Sequence, residues 1–355
     1  MDNLYNSTAV KIKAMRSTLP DLLLEKHFEL QPSLKEKYSE RQTALYKEDT
    51  AYHLSYLSEA ISANEPLLFN EYLSWAKSFF ANLPVTDEEI ILNLELLRDE
   101  AASKLSDGEI NILKSFVNKG IEHYKTFDPE IPSFIDDKKP LASIAKSYLD
   151  HLIKGDKNPA QESILNCVKN SVPIKDIYLH VFQVTQRETG RLWQINRLSV
   201  AQEHYITAAT QFIMSRLYPY LFSSTQKKQK IIISCTAGEL HELGARMVAD
   251  FFEMDGWDSY YFGANTPPAS LINAIQTYKP AVVALSVTMT FNLSSLTELI
   301  SEIRRNPVLN EIKIIVGGFP FLISPNLWQH VGADGCASDA LAAINLASQL
   351  TNTNK

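Results

Sequence analysis

The stretch Ile231-Ile232-Ile233-Ser234-Cys235-Thr236-Ala237-Gly238-Glu239-Leu240-His241-Glu242-Leu243-Gly244 decides the fold. Three consecutive isoleucines are stiff at χ1 and suit a pleated backbone. A run that is apolar at successive positions, not alternate ones, suits a strand buried on both faces. Two further β-branched runs follow, Ala281-Val282-Val283-Ala284-Leu285-Ser286 and Ile312-Lys313-Ile314-Ile315-Val316, with amphipathic helical patterns such as 293–305 between them. Strands alternating with helices predict a doubly wound parallel α/β sheet over 229–353, with its working loops at the carboxyl ends of the strands.

Upstream of that sheet the pattern is helical. Between 139 and 224, Gly155-Asp156, Asn158-Pro159, Pro173 and Gly190 are the expected breaks, so four helices fit and predict a four-helix bundle. Its last helix opens at Ser199-Val200-Ala201-Gln202, a capping box. A proline-rich, charged stretch from Phe127 to Pro140 reads as a linker. Before it, residues 1–135 form an all-α region. Thr86-Asp87-Glu88-Glu89 and Ser106-Asp107-Gly108-Glu109 are two more capping boxes ahead of apolar runs, and Asn64-Glu65-Pro66 opens a helix carrying Phe69, Tyr72, Trp75, Phe79 and Phe80, expected in the core.

Composition narrows the function. The 355 residues carry 34 Lys and Arg against 41 Asp and Glu, a net charge of −7, and the excess acid lies in the first 138 residues. An acidic first third opposes nucleic-acid binding, which rests on neutralising phosphates. No apolar run approaches a membrane span, which predicts a cytoplasmic protein that uses no membrane. Cys167, Cys235 and Cys336 lie too far apart in sequence for a Cys-x-x-Cys zinc site. His27, His53, His123, His151, His180 and His330 have no metal-ligand spacing and read as structural.

The loop after the first strand is different. His241 sits at a strand's carboxyl end, and Glu239 two residues earlier can take one ring N–H and leave the other nitrogen free for a metal. Gly244 leaves room at the start of the next helix. Ser286 and Thr288 end one strand and Gly317-Gly318 another, so small residues line a slot beside the sheet. A flavodoxin-like domain with an incidental loop histidine is the plainer alternative. The three elements together resemble the cobalamin-binding domain, with its Asp/Glu-x-His-x-x-Gly motif, Ser-x-Thr strand end and Gly-Gly pair. The resemblance implies cobalamin bound by Glu239, Leu240, His241, Gly244, Ser286, Thr288, Gly317 and Gly318, with His241 as the lower cobalt ligand.

A second resemblance lies in the bundle. Trp193 followed ten residues later by Glu203-His204 is the Trp-x9-Glu-His pattern of CarH-type cobalamin photoreceptors. It implies adenosylcobalamin, with Trp193 shielding the adenosyl group, Glu203 bonding its ribose hydroxyls and His204 beside it. In some such photoreceptors a histidine follows the tryptophan; here that position is Gln194, which puts a bis-histidine light state in doubt. The extra helical region resembles, in architecture alone, that of the photocobilins, which implies biliverdin as a second chromophore. The alternative is that these helices dimerise or bind a separate output protein. The expected function is thus a light sensor and not an enzyme. A corrinoid carrier for methyl transfer is the runner-up, since it shares bundle and domain without needing Trp193 and Glu203.

Overall fold

The computed structural model describes residues 2–221 and 227–352, so the expected ends of the bundle at 224 and of the sheet domain at 353 lie outside the described residues. The chain forms two compact units. One comprises residues up to Pro129 with Met289–Ser294 and Ile323–His330; the other comprises Glu130–Thr288, Ser295–Leu322 and the chain from Val331 onward.

The first unit is built from α1 (Asp2–Ala14), α2 (Leu19–Leu30), α3 (Pro32–Lys37), α4 (Glu40–Ser62), α5 (Pro66–Phe80), α6 (Asp87–Ala102) and α7 (Asp107–Thr126). Its helix starts follow the sequence. Thr86 and Glu89 satisfy each other's free amides at the head of α6, and Glu109 accepts from the Ser106 amide and hydroxyl at the head of α7. Leu19, Leu23, Leu54, Leu57, Phe69, Leu73, Leu94, Leu113 and Val117 face inward and are buried. Each contributes roughly 1.5–3 kcal/mol by leaving water.

The second unit opens with the bundle: α8 (Ala142–Ile153), α9 (Lys157–Lys169), α10 (Ile174–Ile177) and α11 (Gln183–Gln194), then α12 (Val200–Leu217). α10 runs into α11 through a π turn, Tyr178–Phe182, so the two form one interrupted helix and the bundle has four members as expected. Two expected breaks are not breaks. Asn158-Pro159 falls in the first turn of α9, where proline's missing N–H costs nothing, and Gly190 lies inside α11. The chain leaves α11 at Asn196, whose φ of 57° is left-handed.

The sheet follows, with β1 (Lys230–Cys235), β2 (Asp258–Tyr261), β3 (Val282–Ser286), β4 (Lys313–Gly317) and β5 (Gly335–Ala337) in the order β2-β1-β3-β4-β5, all parallel. Between and after the strands run α13 (Leu243–Met254), α14 (Pro268–Tyr278), α15 (Leu293–Arg305), the short α16 (Phe319–Ile323) and α17 (Leu327–Val331), and α18 (Ala340–Asn352). Ile231, Ile232, Val282, Val283 and Ile314 have no exposure, as a sheet covered on both faces requires. The register sets Cys235, Ser286, Gly317 and Ala337 in one row at the carboxyl edge. The fold is that expected: helical region, bundle, then doubly wound parallel sheet.

Candidate functional site

The row at the sheet's carboxyl edge carries the loop 236–242. Asn265 clasps it: its side chain accepts from the Gly238 amide at 2.8 Å, and its own amide donates to the Glu239 carbonyl at 2.9 Å. Glu239 has no solvent exposure. Its Oε1 accepts from His241 Nδ1 at 2.6 Å and from the His241 amide at 3.0 Å, while its Oε2 accepts from the Thr288 amide at 2.9 Å. That bond fixes the proton on Nδ1, so the lone pair of the imidazole is on Nε2. The hydrogen bond to Glu239 pushes the His241 pKa above its usual value.

The His241 side chain is 58% exposed and Leu240 is 71% exposed, an outward placement that leaves both available to a large ligand. A side chain at Gly244 would meet nothing within 4 Å. Gly318 is the opposite case: with φ at +111°, an added Cβ would lie 1.8 Å from the Val287 carbonyl oxygen, so only glycine fits. Ser286 and Gly317 pair across β3 and β4. Thr236, at the end of β1, has a buried hydroxyl without a hydrogen-bond partner among the described residues. Among the described residues no cluster of three or more His, Cys, Asp or Glu can hold a metal. A single imidazole suits a metal that brings its other ligands with it, as the cobalt of a corrin does. An imidazole with its Nε2 lone pair outward, open space at Gly244 and an orphan hydroxyl at the strand ends fit that group.

The bundle adds a second polar cluster. Glu203 in the first turn of α12 binds His204 Nδ1 through Oε2 at 2.6 Å, and Thr207 Oγ1 lies 2.9 Å from its Oε1. Thr207 Oγ1 is also 3.0 Å from Gln186 Oε1, and Gln186 Nε2 donates to Thr210, which is bonded to the buried Tyr148. The Glu203 charge is the smallest of the contributions that raise the His241 pKa, behind the Glu239 hydrogen bond. His204 is 74% exposed. Trp193 is half-buried and packs against the unit's hydrophobic core, so part of the indole is a core anchor. Gln194 is buried. Sequence reading missed Gln186, Thr207 and the Glu242–Gln211 contact described below. The signal for two of them was present: 203, 207 and 211 are spaced one helical turn apart.

In the helical unit, α4 and α5 bring aromatic rings together. Tyr56 stacks on Tyr72 at 3.8 Å between centroids, Tyr72 on Trp75 at 6.4 Å and Trp75 on Phe79 at 5.4 Å. Phe69, Tyr72 and Phe80 are buried as expected, whereas Trp75 is 37% exposed. Tyr72 OH is hydrogen-bonded to the Nδ1 of His53 at 2.7 Å, and burial lowers the His53 pKa to about 4 and keeps the ring neutral. Burial also pushes Asp49, one turn earlier on α4, up to about 7. His27 and His53 are fully buried structural groups.

Comparison with known proteins adds the following. Residues 229–345 match the B12 binding domain, and residues 144–218 match a second model of that description. A corrinoid protein of Desulfitobacterium hafniense is 22% identical over 59% of this chain and 98% of its own length. Dimethylamine corrinoid protein 3 of Methanosarcina acetivorans is 22% identical over 54% of this chain and 90% of its own. The solved monomethylamine corrinoid protein of Methanosarcina barkeri superposes with a TM-score of 0.53 at 19% identity, over 59% of this chain and 99% of that one, a likeness of fold.

Proposed function

Starting from a cobalamin-binding module in residues 144–218 and 229–345, we propose that this chain is a cytoplasmic light sensor that holds adenosylcobalamin and is not itself an enzyme. The observation that carries it is the Glu203 cluster. A carboxylate braced by Thr207 and His204 in the first turn of α12 is a group that the hydroxyls of a ribose can engage. A methyl group offers no hydroxyl for it to bind. On this reading His241 ligates cobalt from below, Glu239 holds its tautomer, and Trp193, Glu203 and His204 cap the upper face. When bound, adenosylcobalamin supplies a weak Co–C bond that visible light breaks. Without a ribose to bind, Glu203 would lose its partner, and α12 would be free to shift its packing or to change self-association or contact with an output protein. The test is an absorption spectrum and hydrogen exchange of the full chain before and after green light. A shared change in cofactor and in α12 supports the reading; photolysis with an unaltered protein refutes it.

The comparisons weigh toward a second reading, a corrinoid carrier for methyl transfer with a methyltransferase as partner. The relatives that match over nearly their whole length are named as corrinoid proteins, two of them for methylamines. The two readings part at the upper face. A carrier keeps methylcobalamin at least as well as adenosylcobalamin and is indifferent to Glu203→Ala.

Biliverdin as a second chromophore belongs to the helical unit. Support comes from the Tyr56–Tyr72–Trp75 stack and from Asp49, which has no hydrogen-bond partner among the described residues and can accept pyrrole N–H groups. Co-expression with a haem oxygenase should give a red-absorbing protein whose pigment is extracted by acid solvent. A colourless helical unit with cobalamin loaded normally leaves dimerisation or output binding as its role.

A further inference from the structure

Among the described residues, the bundle meets α13 and its N-cap Glu242 through three side-chain hydrogen bonds at one-turn spacing. Gln211 Nε2 donates to Glu242 Oε1 at 2.9 Å, Arg246 Nη2 donates to Ser215 Oγ at 2.8 Å, and Tyr178 OH donates to Asp250 Oδ2 at 2.7 Å. Glu242, Arg246 and Asp250 form one stripe of α13, and Gln211 and Ser215 form the matching stripe of α12. The two ends of this seam differ. Tyr178 and Asp250 are buried, and Tyr178 begins the π turn, whereas Gln211 and Glu242 are half-buried and Ser215 is exposed.

The open end abuts the cobalt-ligand loop, since Glu242 directly follows His241. The sheet side grips Glu242 tightly. Its Oε2 accepts from Tyr261 OH at 3.1 Å and from the Ala264 amide at 2.9 Å, and an added Cβ at Gly263 would come within 2.9 Å of that oxygen. Glu242 is therefore fixed relative to His241, and its tie to the bundle is Gln211. On α12, Gln211 lies one turn beyond Thr207 and two turns beyond Glu203, on the same face. A displacement of Glu203 is carried along a rigid helix to Gln211.

We infer that Gln211 and Glu242 are a positioning pair that transmits the state of the Glu203 cluster on α12 to the loop holding His241, with Tyr178–Asp250 as the fixed end of the seam. This rests on the upper-face role given to Glu203 above. A half-buried hydrogen bond of this kind is weak enough to break when α12 moves, while the buried Tyr178–Asp250 bond is costly to lose.

The experiment is backbone hydrogen exchange on the full chain loaded in the dark with adenosylcobalamin or with hydroxocobalamin, with the absorption spectrum taken alongside. In the wild type, adenosylcobalamin should slow exchange in both 200–217 and 239–244 by roughly threefold or more. Gln211→Leu should keep the His-ligated spectrum and the difference near Glu203, but lose the difference over 239–244. Glu242→Gln should retain it, because the Gln211 amide can turn to present its oxygen to the new amide. A difference over 239–244 that survives Gln211→Leu overturns the pair while leaving the cap intact. The absence of any difference over 200–217 in the wild type overturns the cap reading and the pair with it.

Discussion

Glu239 has no exposure, yet its carboxylate is matched by three N–H donors, on the His241 ring, the His241 backbone and Thr288. It holds the His241 ring in one tautomer and orientation. Glu239→Gln should weaken cobalamin binding about 10- to 100-fold by equilibrium titration, the usual loss when the group behind a ligating histidine is removed. His241→Ala should abolish the His-ligated absorption spectrum, and a variant that kept that spectrum would remove His241 from the site. Asp49 makes a separate prediction. Its folded pKa, about 7, lies above its usual 3.8, so the native state binds the extra proton between those values. Stability is full below about pH 4 and falls as pH rises through 7. Asp49→Asn should therefore raise the melting temperature at pH 8 and leave it unchanged at pH 4. The gain is at most about 4 kcal/mol, and less where water screens the carboxylate. Equal melting at both pH values would show that Asp49 is not strained.

Among the elements, the ones buried on both faces were the ones legible in the sequence. β1, β3 and β4 declare themselves because central parallel strands are continuous apolar runs. β2 reads Asp-Ser-Tyr-Tyr and β5 has three residues; both are edge strands with polar or half-buried positions, so hydropathy passes over them. The bundle's helix count was legible, but Gly190 and Pro159 misled as breaks. A glycine on an open helix face and a proline in a first turn are both tolerated, and the actual turn depends on Asn196 adopting a left-handed conformation that no pattern requires. The Glu239–His241 hydrogen bond was legible because the two residues are neighbours in sequence. Gln186 was not, because it acts across a helix interface that only packing reveals, and the one-turn spacing that puts Gln211 on the face of Glu203 does not disclose its partner Glu242. At this scale Gly318→Ala should cost several kcal/mol, about 2–4, in denaturant unfolding, since β4 must shift away from Val287 or adopt strained backbone. A stability within about 0.5 kcal/mol of wild type would mean that the β3–β4 edge yields freely.

At the scale of the whole molecule, a cobalamin-binding module accounts for the second unit, and seven helices of the first unit lie upstream of it. No described helix is long and apolar enough to cross a membrane. What the module does depends on which upper ligand it was built to keep. The most direct measurement is the dark affinity of the full chain for adenosylcobalamin against methylcobalamin, repeated with Glu203→Ala. Charge-assisted hydrogen bonds from ribose hydroxyls to Glu203 are worth about 1.5–3 kcal/mol. The wild type should therefore prefer adenosylcobalamin by roughly 10- to 100-fold, and the variant should lose most of that preference. Equal or tighter binding of methylcobalamin by the wild type, with no effect of the substitution, would contradict the sensor and leave a corrinoid carrier.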